Sequence, residues 1–187
     1  MAARIAPAPR PYEPDMEEML AKLTPAGGEP LVLFRTMARN PRLFRRFMAG
    51  GLLDRGTITL REREIVIDRT CARCGAEYEW GVHVAVFAEK AGLGPEEIAA
   101  TVGGGAEAAC WSERERLLIR LVDQLHDSGR IDEALWSELS GSFTDEQILE
   151  LVMLTGHYHM VSFIVNASAL PGESFAARFP APGESGL

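Results

Sequence analysis

Apolar side chains recur at three- to four-residue intervals along most of this chain, and no stretch alternates apolar with polar between turn signals as a strand would. The pattern opens with a short amphipathic stretch, Asp15 to Leu23, closed by the breakers Thr24-Pro25-Ala26-Gly27-Gly28. Leu31 to Arg39 follows, then a Pro-started segment, Pro41 to Leu53, with Leu43, Phe44, Phe47 and Met48 at helical spacing. Three capping boxes mark later helix starts: Thr59 with Glu62, Ser112 with Glu115, and Thr144 with Gln147. In each, a hydroxyl and a carboxylate or amide three residues on satisfy amides that the first helical turn leaves bare. Gly92 and Gly129 supply stops after Ala91 and Asp127, and two short helices, Pro95 to Val102 and Asp132 to Leu139, lie between the longer ones. The last long apolar helix ends before Pro171. The reading is all-α: a Pro-rich arm over 1–14, a helical domain over 15–170 and a loose Pro/Gly-rich tail over 171–187.

The chain has 187 residues, 47% hydrophobic and 25% charged, the mix of one folded domain with a core. A net charge of -8 argues against nucleic-acid binding, which needs a basic face. No apolar run looks close to the ~20 residues of a membrane span, and the first residues lack the apolar segment of a secretory signal. A soluble, cytoplasmic protein is the expectation.

The densest chemistry lies between Arg63 and His83. Glu79 and His83 are four apart, so one helix face holds both, flanked by Tyr78 and Trp80. A carboxylate beside an imidazole in apolar surroundings is suited to moving protons near neutral pH. A surface pair of the same spacing would be worth only a few tenths of a kcal/mol. Glu64 lies fifteen positions earlier, which on one straight helix is about 22 Å away. A reversal between Arg69 and Ala76, with Gly75 tolerating the dihedrals, would bring it beside His83.

The stretch resembles the core motif of the carboxymuconolactone decarboxylase / alkylhydroperoxidase D superfamily, carried by Glu64, His83 and the ending Ala91-Gly92-Leu93-Gly94-Pro95-Glu96-Glu97-Ile98. Leu33 to Pro41 and Gly156-His-Tyr-His-Met160 are similar to a branch with an E-Y-E-W-x-x-H core. The resemblance extends over Leu31 to Leu170. Counted from Glu64 forward or His83 back, the superfamily's two cysteines would fall at Ala76 and Glu79. Cys71 and Cys74 are out of that register, and Glu79 stands where the second thiol would be.

The resemblance implies a helical bundle that forms a homo-oligomer (dimer, trimer or hexamer), with an apolar site near a subunit interface. It implies a lyase-type enzyme doing cofactor-free acid/base chemistry, namely decarboxylation, isomerisation or elimination, on a small organic acid or lactone. In this reading His83 moves the proton, Glu79 orients or shares it and Glu64 completes a relay. Tyr78, Trp80, Arg69 and His157 are the substrate contacts, Arg69 through a bidentate fork to a carboxylate. Arg63 is read as a solvated helix face. Two alternatives stand beside it: thiol-dependent hydroperoxide reduction at Cys71 and Cys74, and a helical binding protein without chemistry. No metal is expected, because one C-x-x-C supplies too few ligands for zinc and the chain has no second pair. His126, near a helix C-terminus, is read as compensating the helix dipole.

Overall fold

The computed structural model describes residues 3–24 and 28–181. Pro25 to Gly27 of the breaker stretch, and the arm and tail residues beyond those limits, lie outside the described residues. Among the described residues the chain forms nine α-helices and no strand. Three short ones come first: α1 (Pro14–Lys22), α2 (Val32–Met37) and α3 (Pro41–Ala49). The central elements are α4 (Leu60–Arg73) and α5 (Glu77–Ala91), followed by α6 (Pro95–Ala99), α7 (Glu113–Ser128), α8 (Glu133–Ser142) and α9 (Asp145–Ala167). α6 runs into a π-turn over Ala100–Gly104, where the sequence suggested one continuous helix. The glycines after Ala49 end α3 short of Leu53, with Gly50 at its cap.

All three capping boxes are formed, at Thr59, Ser112 and Thr144. The reversal between α4 and α5 also occurs where expected. Cys74 caps α4 and Gly75 takes φ +61°, a left-handed conformation that a side chain would strain. α5 therefore folds back along α4.

α4 is the centre of the molecule. Ile65, Val66, Ile67 and Cys71 are fully buried, because α5, α7 and α9 cover the helix on several sides. A helix surrounded in this way needs apolar residues around most of its circumference. Arg69 ties α4 to α7 through a two-pronged bond to Asp123, 2.8 and 2.9 Å. A smaller cluster around Met16, Leu20, Ala38 and Phe44 packs α1 and α3 together.

Two expectations are corrected here. α9, at 23 residues, is long and apolar enough by itself to cross a membrane, contrary to the reading that nothing approaches that length. One of its faces packs in the core through Leu151, Leu154, Tyr158, Val161 and Val165. The segment after α9 is not loose over 171–181. It straps across α5, because polar groups near both its ends find partners there. Glu173 accepts from the Tyr78 hydroxyl and the Val32 amide at 2.6 Å each, and Arg178 pairs with Glu77 at 2.9 Å. The Ala177 amide bonds the Gly81 carbonyl at 3.0 Å, and Phe179 packs on Trp80.

Candidate active site

The reversal at Gly75 sets Glu64 of α4 opposite His83 of α5. The His83 Nδ1–H donates to Glu64 Oε2 at 2.7 Å. On the far side of the ring, His83 Nε2 lies 3.0 Å from the Tyr158 hydroxyl of α9 and 3.6 Å from Glu79 Oε1. Glu64 is clasped behind by Arg63, whose Nε and terminal nitrogen reach Oε1 at 2.8 and 2.7 Å. The chain Arg63–Glu64–His83–Tyr158 thus crosses three helices. Glu64 is 1% exposed and His83 3%, so it runs through the interior.

Two further carboxylates face this chain. Glu79 leaves Oε2 without a hydrogen-bond partner, and both oxygens of Asp68 are likewise unpartnered. Asp68, one turn along α4 from Glu64, is 1% exposed. Burial, joined by the Glu64 charge, pushes its carboxyl well above the ordinary range in spite of the opposing pull of His83. Burial thus favours the neutral acid form of Asp68. The His83 imidazole is opposed by burial, but bonds and charge from Glu64 and Glu79 prevail and raise it to about 10. His83 is accordingly imidazolium at neutral pH, a stored proton between two carboxylates. The Tyr158 hydroxyl is pushed up by burial and by Glu79.

The sequence-predicted residues divide into two groups. Glu64, Glu79 and His83 converge. His157 stands beside them, half-buried against Phe47 and Tyr158, with burial lowering its pKa against the nearby Glu79 charge. The other three substrate contacts are corrected. Arg69 commits its fork to Asp123 and a third nitrogen to the Thr101 carbonyl at 3.0 Å, and is buried between α4 and α7. Trp80 donates its indole N–H to Thr101 at 3.0 Å, and Tyr78 is held by Glu173 and the Leu33 amide. Both are packing anchors, since their polar tips found partners in neighbouring segments.

Arg63 is not on a solvated face. It lies against Glu64 and the Leu53 carbonyl and lines a cavity of about 270 Å³ with Leu53, Ile58, Leu60 and Glu150. Asp68 and Tyr158 were not foreseen. The signal for Asp68 was available, because it follows Glu64 by four residues and so shares its face. Tyr158 had no local signal, since only the packing of α9 aims its hydroxyl at His83.

The C-x-x-C cysteines are free thiols that have Ser162 as a common neighbour. Cys71 is fully buried, and burial, with Glu79 and Asp68, raises its thiol well above the ordinary value. Cys74 is half-buried, 3.8 Å from His126 Nδ1.

Residues 39–124 match the carboxymuconolactone decarboxylase family. No curated protein matches the chain at a significant level. The chain is similar in fold to an uncharacterized peroxidase-related protein from Silicibacter sp. TM1040 (TM-score 0.81, 19% identity, 94% of each chain covered). It is also similar to an alkylhydroperoxidase AhpD core protein, described as peroxidase-related, from Ralstonia eutropha JMP134 (TM-score 0.75, 20% identity, 92% of this chain and 95% of that one). A further likeness is to the debrominase Bmp8, whose variant structure holds 2,3,4-tribromopyrrole (TM-score 0.68, 17% identity, 93% and 94%).

Proposed function

We propose that this chain, which belongs to the carboxymuconolactone decarboxylase / alkylhydroperoxidase D superfamily, is a proton-transfer enzyme acting on a small organic acid or lactone. The observation that carries this reading is the buried Glu64–His83–Tyr158 chain, with the unpartnered Glu79 oxygen and the Asp68 carboxyl beside it. Burying three carboxyl groups and an imidazole together opposes folding unless each is bonded, and here three oxygens are not. Such clusters are concentrated where pKa tuning serves catalysis.

In this reading His83, as imidazolium, delivers a proton to the substrate. Glu64 fixes the ring through Nδ1 and stabilises its charge. The free oxygen of Glu79 accepts the proton the substrate gives up, and Asp68, protonated, donates a hydrogen bond to developing negative charge. The balance is one proton in and one out, as in an isomerisation. In an elimination Glu79 takes the proton, the carbon–hydrogen pair becomes the double bond, and the leaving group departs with its own bonding pair and is protonated by His83. In a decarboxylation carbon dioxide departs without the carbon–carbon pair, and His83 protonates the carbanion left behind. A lyase or isomerase role follows, with no cofactor called on.

Thiol-dependent reduction has less behind it. The Cys71 thiol is held protonated by burial, and Cys74 faces His126 rather than His83. The proposal includes self-association through α9, whose outer face exposes Leu149, Met153 and Phe163.

The test is turnover of a panel of small lactones and unsaturated carboxylic acids by the full chain, followed in deuterated water so that exchanged protons register in the product. His83→Ala and Glu79→Gln are expected to lower turnover by roughly a hundredfold or more while helicity is unchanged. Turnover insensitive to both changes, or none on any member of the panel, would sink the proposal.

A further inference from the structure

A second cluster of chemistry-bearing side chains lies away from His83, assembled from three helices. Cys74 caps α4, His126 sits in the last turn of α7 and His159 lies midway along α9. Their ligand atoms, one sulfur and two ring nitrogens, all lie within 4.8 Å of one another. His126 Nδ1 is 3.8 Å from Cys74 Sγ and 3.0 Å from His159 Nε2.

These positions are close to what a tetrahedral zinc ion requires. Zinc–nitrogen bonds of about 2.0–2.1 Å and zinc–sulfur bonds of about 2.3 Å place the ligand atoms roughly 3.3 Å (N to N) and 3.6 Å (S to N) apart. Two of the three edges are within a few tenths of an ångström of those values.

The supporting contacts point the same way. His159 donates its Nδ1–H to the Thr155 carbonyl at 2.9 Å, one turn back on α9. That bond fixes the tautomer and leaves the Nε2 lone pair aimed into the cluster, the arrangement usual for a metal-bound imidazole. The Cys74 end is held by Asn166, which donates its side-chain N–H to the Cys74 carbonyl at 2.8 Å. Arg73, whose charge opposes a cation here, is drawn off by Asp127 and by Asp123 at 3.4 Å. The second member of the C-x-x-C pair thus has a His–His pair from distant helices beside it, while the first is buried in the interior.

We propose that Cys74, His126 and His159 form a binding site for a thiophilic divalent metal ion, with zinc as the ion it suits. One thiolate and two imidazoles are a borderline-soft donor set that favours zinc over magnesium or calcium. On binding, the Cys74 thiol releases its proton to solvent, and His126 carries its remaining proton on Nε2 so that Nδ1 binds the ion. All three side chains are half-buried, so the fourth position is left to water. An ion there links α4, α7 and α9 at the end of the bundle. The inference is independent of the acid/base reading of His83.

The test uses the full chain, stripped with a chelator and reloaded with cobalt(II) as the spectroscopic probe or with zinc. The expected result is one ion per chain, a thiolate-to-cobalt charge-transfer band, release of about one proton and a higher thermal midpoint. Cys74→Ser should abolish the band, His159→Gln or His126→Gln should weaken affinity by roughly tenfold or more, and Cys71→Ser and His83→Gln should retain full binding. Because the spectrum of the unaltered chain is read first, a folding defect in one variant does not hide the answer. The proposal is overturned if the unaltered chain shows no thiolate band at micromolar metal, if Cys74→Ser keeps it, or if Cys71→Ser is the variant that loses it.

Discussion

His83 keeps its proton because two carboxylates face it from different helices, and that has a consequence for stability. Its folded-state value of about 10 lies above the ordinary 6.5. The native protein therefore holds a proton that the unfolded chain gives up, and the stabilisation is complete below about pH 6.5 and is lost as pH rises through about 10. Asp68, also raised, acts in the same direction from the carboxylate range upward. Urea titrations across that window should show stability falling with pH, at up to about 1.4 kcal/mol per unit for each proton involved. The decline should be shallower in His83→Gln. A profile that is flat or rises with pH would contradict the assignment. Tyr158→Phe removes only the hydroxyl at His83 Nε2, and turnover should fall roughly tenfold with little loss of fold. Cys71→Ala should leave turnover within a few-fold, and its loss would return the thiol reading to the front.

At the scale of elements, the α4–α5 hairpin and the strap over it form one device. Gly81 lies in the middle of α5, where glycine is unfavourable by about 1 kcal/mol relative to alanine. The strap explains its presence. A methyl group on Gly81 would lie 2.1 Å from the Ala177 carbonyl oxygen, an approach no side chain permits. Gly81→Ala should therefore lift residues 171–181 off α5 in spite of the better helix propensity. The expected signs are a loss of roughly 1–3 kcal/mol in stability and rapid proteolysis after Gly172. Equal or greater stability with a protected strap would show that the backbone there can yield.

At the scale of the molecule, α9 is apolar on both faces, but only one is covered. Leu149, at 70% exposed, Met153, at 56%, and Phe163, at 63%, lie on the uncovered face with Val152 and Met160. An apolar stripe of that length on a helix of this kind fits a second copy of the chain, as proposed above. Sedimentation of the full chain should show an oligomer. Leu149→Glu combined with Phe163→Glu should shift it toward single chains with helicity kept. A monomeric unaltered protein at micromolar concentration would remove self-association from the reading.

Helix starts and stops were legible in the sequence because caps are satisfied within four residues. Thr59, Ser112 and Thr144 each bond their own first turn whatever surrounds them. The reversal at Gly75 was legible for the same reason, and with it the meeting of Glu64 and His83. What a side chain bonds across helices was not legible, because it depends on which faces pack together. Arg69 suits a substrate carboxylate in isolation, and only the approach of α7 commits it to Asp123. The polar ends of the last described segment read as a solvated tail until Tyr78 and Glu77 meet them. Cys74, His126 and His159 are separated by 52 and 33 residues and share no motif. Only the packing of α4, α7 and α9 places their ligand atoms together, since convergence across three helices is a property of the assembled core.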